Sequence, residues 1–150
     1  MAWWFGAGRS SESACKWEVS ARAMLSLAFL LLTMDVRWVM AAIFAGVVHE
    51  MGHCIALWLC DEPLLHIRID IPGAVIRTGP MDDGQELLCA LTGPVFGLLL
   101  LFFYRWIPRT AVIALGQSLF NLIPIYPLDG GRGLLALRNI CCKEREKGVQ

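Results

Sequence analysis

Charge is scarce in this 150-residue chain and evenly split, with 13 Lys and Arg against 13 Asp and Glu and a formal net charge of 0. A chain without net charge presents no global field to a polyanion, and no basic run here is interleaved with aromatic residues, which argues against nucleic-acid binding. The six cysteines (Cys15, Cys54, Cys60, Cys89, Cys141 and Cys142) show no CxxC spacing. Several stand inside apolar blocks, where a thiol behaves as a small buried hydrophobe, so neither a disulfide framework nor a cysteine zinc site is expected. The opening MAWWFGAGRSSESACKWEVS lacks a basic start followed by an apolar stretch and a small-residue cleavage site. No removed signal peptide is expected there. No composition shift divides the chain, so one domain is expected.

Hydrophobic residues are what the chain has in excess: they make up 57% of it, in long blocks instead of short alternations. With a mean hydropathy of +0.57, this is the composition of a membrane protein. Crossing the hydrocarbon takes about 20 apolar residues in a helix. Trp38 to Cys60 runs 23 residues with Glu50 as its only certain charge, and Leu87 to Ile107 runs 21 with Arg105 near its end. Ala23 to Met34 is only 12 uninterrupted residues and needs its flanks to span. Asp35, a good N-cap, separates it from the next block, which predicts a tight helical hairpin there, with one continuous helix as the alternative. The fourth block, Ala111 to Ile125, ends in PIYPLDGGR. Pro124 and Pro127 oppose further helix, so it is expected to unwind at membrane depth, where irregular backbone needs surrounding protein or a wet cavity.

Between the second and third blocks, LLHIRIDIPGAVIRTG alternates apolar and polar residues around Pro72-Gly73, the pattern of a β-hairpin. The fold expected is an all-α integral membrane bundle of about four transmembrane helices, with that small β-hairpin between the second and third. Residues 1–20 read as a poorly ordered tail with Trp3 and Trp4 at the headgroups, 21–132 as the membrane core, and 133–150 as a short interfacial helix (Gly133 to Cys142) and a frayed end. Ten of the 13 Lys and Arg fall on one side of such a bundle, which puts both termini and the hairpin in the cytoplasm.

One charged cluster interrupts the second block: His49-Glu50-Met51-Gly52-His53. Histidines four apart stack on one helix face and can converge on one tetrahedral metal, while Glu50, beside the first, is placed to act on water at that metal. A catalytic zinc then lacks one protein ligand, and in low dielectric a carboxylate offsets part of its charge. Asp35 is placed at the opposite surface, and Asp61, Glu62, Asp70, Asp82, Asp83 and Glu86 in or beside the loop. Asp129 alone follows directly on the broken intramembrane helix, with Gly130 and Gly131 free to turn its carboxylate inward. It is the expected third ligand.

HEMGH, LTGP (Leu91 to Pro94) and NLIPIYPLDGG (Asn121 to Gly131) together resemble the site-2 protease family of intramembrane zinc metalloproteases, as HExxH followed by NxxPxxxLDG. The resemblance covers about Ala23 to Arg132, and the short form without a PDZ domain is most similar to the branch of the stage IV sporulation protease, which cleaves a membrane-tethered sigma-factor precursor. It implies one zinc per chain on His49, His53 and Asp129, with Glu50 as general base. Its expected setting is a multi-pass protein of the bacterial cytoplasmic, or forespore-surrounding, membrane. The partners implied are a transmembrane protein substrate, the lipid bilayer and a membrane regulator. Many relatives have six spans, and the sporulation branch often adds a C-terminal regulatory domain.

Blander readings stand beside these. Intramembrane histidines also serve as polar contacts between helices, and a glutamate there can belong to a buried pair or a proton relay. Asn121 has two readings: support for substrate or a developing oxyanion, or a side chain satisfying carbonyls freed by Pro124. His66, on the polar face of a predicted strand, is expected to be solvated. Gly52, Gly93 and Gly97 read as close-packing positions, and Pro94 as the first turn of the third span. Two other function classes compete with the protease: a catalytically silent scaffold for membrane helices, against which an intact Glu50 argues, and a small ion or proton transporter, for which an inverted repeat is missing.

Overall fold

The computed structural model describes residues 16–62, 64–69, 74–78 and 81–147. The expectations for Trp3, Trp4, Cys15, the Pro72-Gly73 turn and the His66 side chain fall outside what is described.

Strand β1 (Lys16–Val19) leads to Ser20, whose hydroxyl accepts the Ala23 N–H at 3.1 Å and caps α1 (Ala21–Thr33). The helix stops at Met34. Asp35 then caps α2 (Val36–Leu59), its carboxylate accepting the Arg37 N–H at 2.7 Å. The polar break at Asp35 therefore divides two helices, and the single continuous helix is excluded. At the other end of α2, Asp61 takes the left-handed conformation (φ 54°) while Glu62 N–H reaches back to the Leu57 carbonyl at 3.0 Å, closing the helix with a Schellman motif.

Strands β2 (Leu64–Ile69) and β3 (Ala74–Thr78) pair antiparallel, and β1 adds to β2 in parallel, giving the order β1-β2-β3. Because β1 lies beside β2, the chain that leaves the sheet through α1 returns to it through α2. Asp82 opens α3 (Asp83–Leu99) with a capping box: its carboxylate accepts the Gly84 N–H, and Gln85 accepts the Asp82 N–H at 2.9 Å. A 3₁₀ turn over Leu100–Phe103 extends α3. Helix α4 (Pro108–Asn121) starts on a proline and is followed by the broken segment 122–128; α5 (Asp129–Lys147) follows.

These elements correct the expected fold. Two described helices, Val36–Leu59 and Asp83–Phe103, are long and apolar enough to cross a membrane, not four. With 13 and 14 residues, α1 and α4 reach only about 20 Å at 1.5 Å per residue, short of a hydrocarbon layer of roughly 30 Å. Nor is the fold all-α with a two-stranded hairpin, because residues assigned to the N-terminal tail supply a third strand. Pro94 sits inside α3 instead of in its first turn. The interfacial helix expected over Gly133 to Cys142 is longer at both ends, and it packs along α3. There Arg132 meets Glu86, and Asp83 takes both Asn139 Nδ2, at 3.1 Å, and Lys143 Nζ. The hydrogen bond to Asp83 holds the Lys143 ammonium above the usual lysine range.

Packing is inverted relative to a water-soluble core. The buried positions of α2 to α5 are mostly small: Ala41, Ala45, Gly52, Ala56, Ala90, Gly93, Gly97, Ala111, Ala114, Ser118 and Ala136. Large side chains such as Phe29, Phe44, Phe102 and Trp106 point outward. Outward-facing apolar bulk with small residues at the contacts is how helices pack where the solvent is lipid, because close backbone approach and dispersion replace the hydrophobic drive between helices. No residue of α1 is buried. At the end of the bundle away from the sheet, the Arg109 guanidinium stands 5.9 Å over the Trp38 ring, tying the starts of α2 and α4 among exposed aromatics.

Ala45, fully buried between α2 and its neighbours, tests this inversion. Ala45→Leu is expected to destabilise the protein in detergent by about 1–3 kcal/mol through overpacking, whereas Phe44→Leu, one residue away and outward, leaves the thermal midpoint unchanged.

Candidate metal centre

Four residues on one helix separate His49 from His53, and 80 residues of chain separate His49 from Asp129. Helix α2 stacks the two imidazoles, and the start of α5 delivers the carboxylate. His49 Nε2 lies 3.1 Å from Asp129 Oδ2, His53 Nε2 lies 3.3 Å from the same oxygen, and the two Nε2 atoms are 3.3 Å apart. Both histidines are buried and Asp129 nearly so. Among the described residues this is the group of three or more side chains that can hold a metal ion.

The protonation state of His53 decides what this triangle is. Its Nδ1 is 2.8 Å from the Cys89 carbonyl, an acceptor only, so Nδ1 carries the proton and donates it. In the neutral imidazole, Nε2 is then a lone pair facing the lone pairs of a carboxylate oxygen. Three lone-pair donors converging in this way repel one another unless a proton or a metal ion sits between them. Tetrahedral bonds of about 2.0–2.1 Å place neighbouring donor atoms roughly 3.3–3.4 Å apart. The observed separations, 3.1–3.3 Å, lie at or slightly below this, and two imidazole nitrogens with one carboxylate oxygen make a donor set suited to zinc and leave further coordination open.

The surrounding backbone is shaped to this group. A Cβ on Gly93 of α3 would fall 2.2 Å from His53 Nε2, so the ring rests directly on the glycine backbone. Gly52 allows the same closeness between α2 and α3, its notional Cβ falling 2.5 Å from the Thr92 carbonyl oxygen. Gly97, one turn beyond Gly93, faces Ser118 of α4. All three are close-packing positions, as expected, but Gly93 packs against an expected ligand. Gly130 and Gly131 act differently from the expectation. They press onto the backbone of Leu122 and Ile125, so glycine is needed there for close approach and not for freedom to turn. Asp129 stands in the first turn of α5 in consequence.

Glu50 follows His49 on α2 and is half-buried. One residue along a helix turns by about 100°, which sets its carboxylate beside the triangle's face instead of within it. Asn121, at the last residue of α4, brings Nδ2 to 3.3 Å from His49 Nε2, so it belongs to the cluster. His49 Nδ1 is buried with no hydrogen-bond partner among the described residues. The Cys89 carbonyl, which also accepts the Thr92 hydroxyl at 2.9 Å, had no signal in the sequence, because every residue carries a carbonyl.

No family model and no curated protein matches the chain. Among solved structures, a site-2 protease from Methanocaldococcus jannaschii is similar in fold, with a TM-score of 0.63 and 21% sequence identity. The match covers 77% of this chain and 62% of that one, so the chain spans about three fifths of its structural neighbour.

Gly93→Ala is expected to push the His53 ring out of the triangle and to weaken zinc binding at least about 10-fold, as loss of outer-shell support does at metal sites. Gly116→Ala, where a Cβ meets nothing within 4 Å, serves as the control. Metal content after equilibration against a buffered zinc series distinguishes the two.

Proposed function

We propose that this chain is an intramembrane zinc metalloendopeptidase that hydrolyses a peptide bond within or near a transmembrane segment of a membrane-tethered protein. One zinc ion per chain is held by His49, His53 and Asp129. The observation that carries this reading is the triangle of buried donor atoms 3.1–3.3 Å apart, assembled from HExxH on α2 and LDG at the start of α5. The order of those motifs and the likeness of fold to a protein titled a site-2 protease support it.

A zinc ion held there supplies Lewis acidity, polarising a peptide carbonyl and acidifying water. The protein does the rest. Glu50 takes a proton from the attacking water at its carboxylate and passes it to the nitrogen of the leaving amine. The Asn121 amide, beside His49, donates toward the carbonyl oxygen as charge develops on it. The Cys89 carbonyl holds the His53 proton on Nδ1, keeping Nε2 free to ligate. Because a helix ties its carbonyls into i→i−4 bonds, a substrate helix unwinds locally before attack, and β3, the outer strand of the sheet beyond β2, offers an edge for the extended segment.

The apolar outward faces of α2 and α3 support a membrane setting for this chemistry. The excess of Lys and Arg on the sheet side supports a cytoplasmic location for both termini and the sheet. The resemblance to the sporulation branch makes a membrane-tethered sigma-factor precursor the substrate to try first, in the bacterial cytoplasmic or forespore-surrounding membrane, with a membrane protein as regulator.

The test uses purified protein in lipid vesicles with a single-span substrate. Glu50→Gln is expected to bind zinc as wild type does and to lose cleavage by at least about 10²-fold, the scale of a missing general base. Asp129→Asn and His49→Ala are expected to lose zinc and activity together. Full cleavage by Glu50→Gln would sink the mechanism; zinc-free, inactive wild type would favour a scaffold or transporter.

A further inference from the structure

Helix α3 contributes no side chain to the donor triangle, yet one of its faces is pressed against it. Glu86, Cys89 and Gly93 follow one another at i, i+3 and i+7, a spacing that aligns them on a single helix face. Gly93 seats the His53 ring and the Cys89 carbonyl takes its Nδ1 proton. One turn back, the Glu86 carboxylate takes Arg132 of α5: Nε donates to Oε1 at 2.8 Å and Nη2 lies 2.8 Å from the same oxygen. Arg132 stands one turn after Asp129, and its N–H donates to the Leu128 carbonyl at 3.0 Å, the first helical bond around Asp129.

We propose that Glu86 and Arg132 are a positioning pair for Asp129, fixing how α5 is rotated and slid along α3 so that the carboxylate stays in reach of both imidazoles. This rests on the metal reading of the cluster. The physical need is specific. Gly130 and Gly131 let the first turn of α5 lie against residues 122–126, but a glycine contact limits approach without resisting rotation or sliding. Two guanidinium N–H groups converging on one carboxylate oxygen resist both, because these charge-assisted bonds are directional. About a third of each side chain is exposed, so the pair lies at the rim of the bundle and not in its interior.

A second clasp between the same helices provides an internal comparison. Asp83 of α3 takes Asn139 and Lys143 of α5, ten and fourteen residues past Asp129, or about 15 and 21 Å along the helix axis. If the pair served only to hold α3 to α5, the two clasps would be equivalent. If it positions Asp129, only the near one affects the metal.

The experiment measures zinc affinity by competition with a chromophoric chelator, using the full chain in detergent, and follows the thermal midpoint of every variant in parallel. Glu86→Gln, a near-isosteric change, and Arg132→Gln, which removes the guanidinium, are each expected to weaken zinc binding about 10-fold, with Asp83→Asn within about twofold of wild type. The double variant is expected to be no weaker than either single change, since each acts through the other. The proposal is overturned by unchanged affinity in Glu86→Gln, by an equal loss in Asp83→Asn, or by additive losses in the double variant. Wild type that binds no zinc overturns the metal reading itself, a result distinct from normal wild-type binding with an indifferent Glu86.

Discussion

Three lone-pair donors held at contact distance in apolar surroundings are the constraint on which the rest of this molecule depends. In water, His49, His53 and Asp129 would be solvated separately; inside the bundle their mutual repulsion has to be offset by a cation or by extra protons. The hydrogen bond from His53 to the Cys89 carbonyl bears on that choice, because it commits the ring's proton to the far side. With its Nε2 lone pair turned inward, the cluster can take a metal ion. Everything that brings α2, α3 and α5 within touching distance serves this arrangement.

Such closeness is available only because the contacts are built from small residues. Gly52 and Gly93 let α2 lie on α3 with no side chain between them, and the imidazole of His53 occupies the space that a Cβ at Gly93 would take. Alanines fill the remaining crossings at Ala45, Ala56, Ala90 and Ala114. The large apolar residues that would stabilise a soluble core are left on the outside, where lipid is their solvent. Stability and site geometry thus draw on the same feature, and enlarging a buried small residue threatens both.

Helix α3 is the centre of this design although it donates no ligand. It carries the carbonyl that orients His53, the glycine that admits its ring, and the two acidic residues that hold α5. Helix α5 in turn runs from Asp129 at the depth of the site to the sheet end of α3. The ends of α5 differ in role: the first turn is set by glycine contacts and Arg132, and the later turns by Asn139 and Lys143 on Asp83.

The sequence alone marked the residues of the candidate metal centre and the apolar character of the chain. HExxH at helical spacing, a carboxylate after a proline-broken segment, and long apolar blocks are local signals, legible because helical periodicity and proline's missing N–H act within a few residues. It also marked the break at Asp35 through that residue's capping ability. Tertiary structure decided what depends on distant pairings. Joining β1 to β2 across some 50 residues turned a tail into a strand, and packing on α3 extended α5 beyond its apolar stretch. Pro94 was absorbed into the middle of α3 because the Asp82 capping box starts that helix earlier than its apolar block. Likewise Cys89 entered the site through a carbonyl, and Glu86 and Arg132 through a contact between helices 46 residues apart in the chain. No local pattern encodes either, since backbone groups are common to all residues and register between helices is set by the whole packed surface.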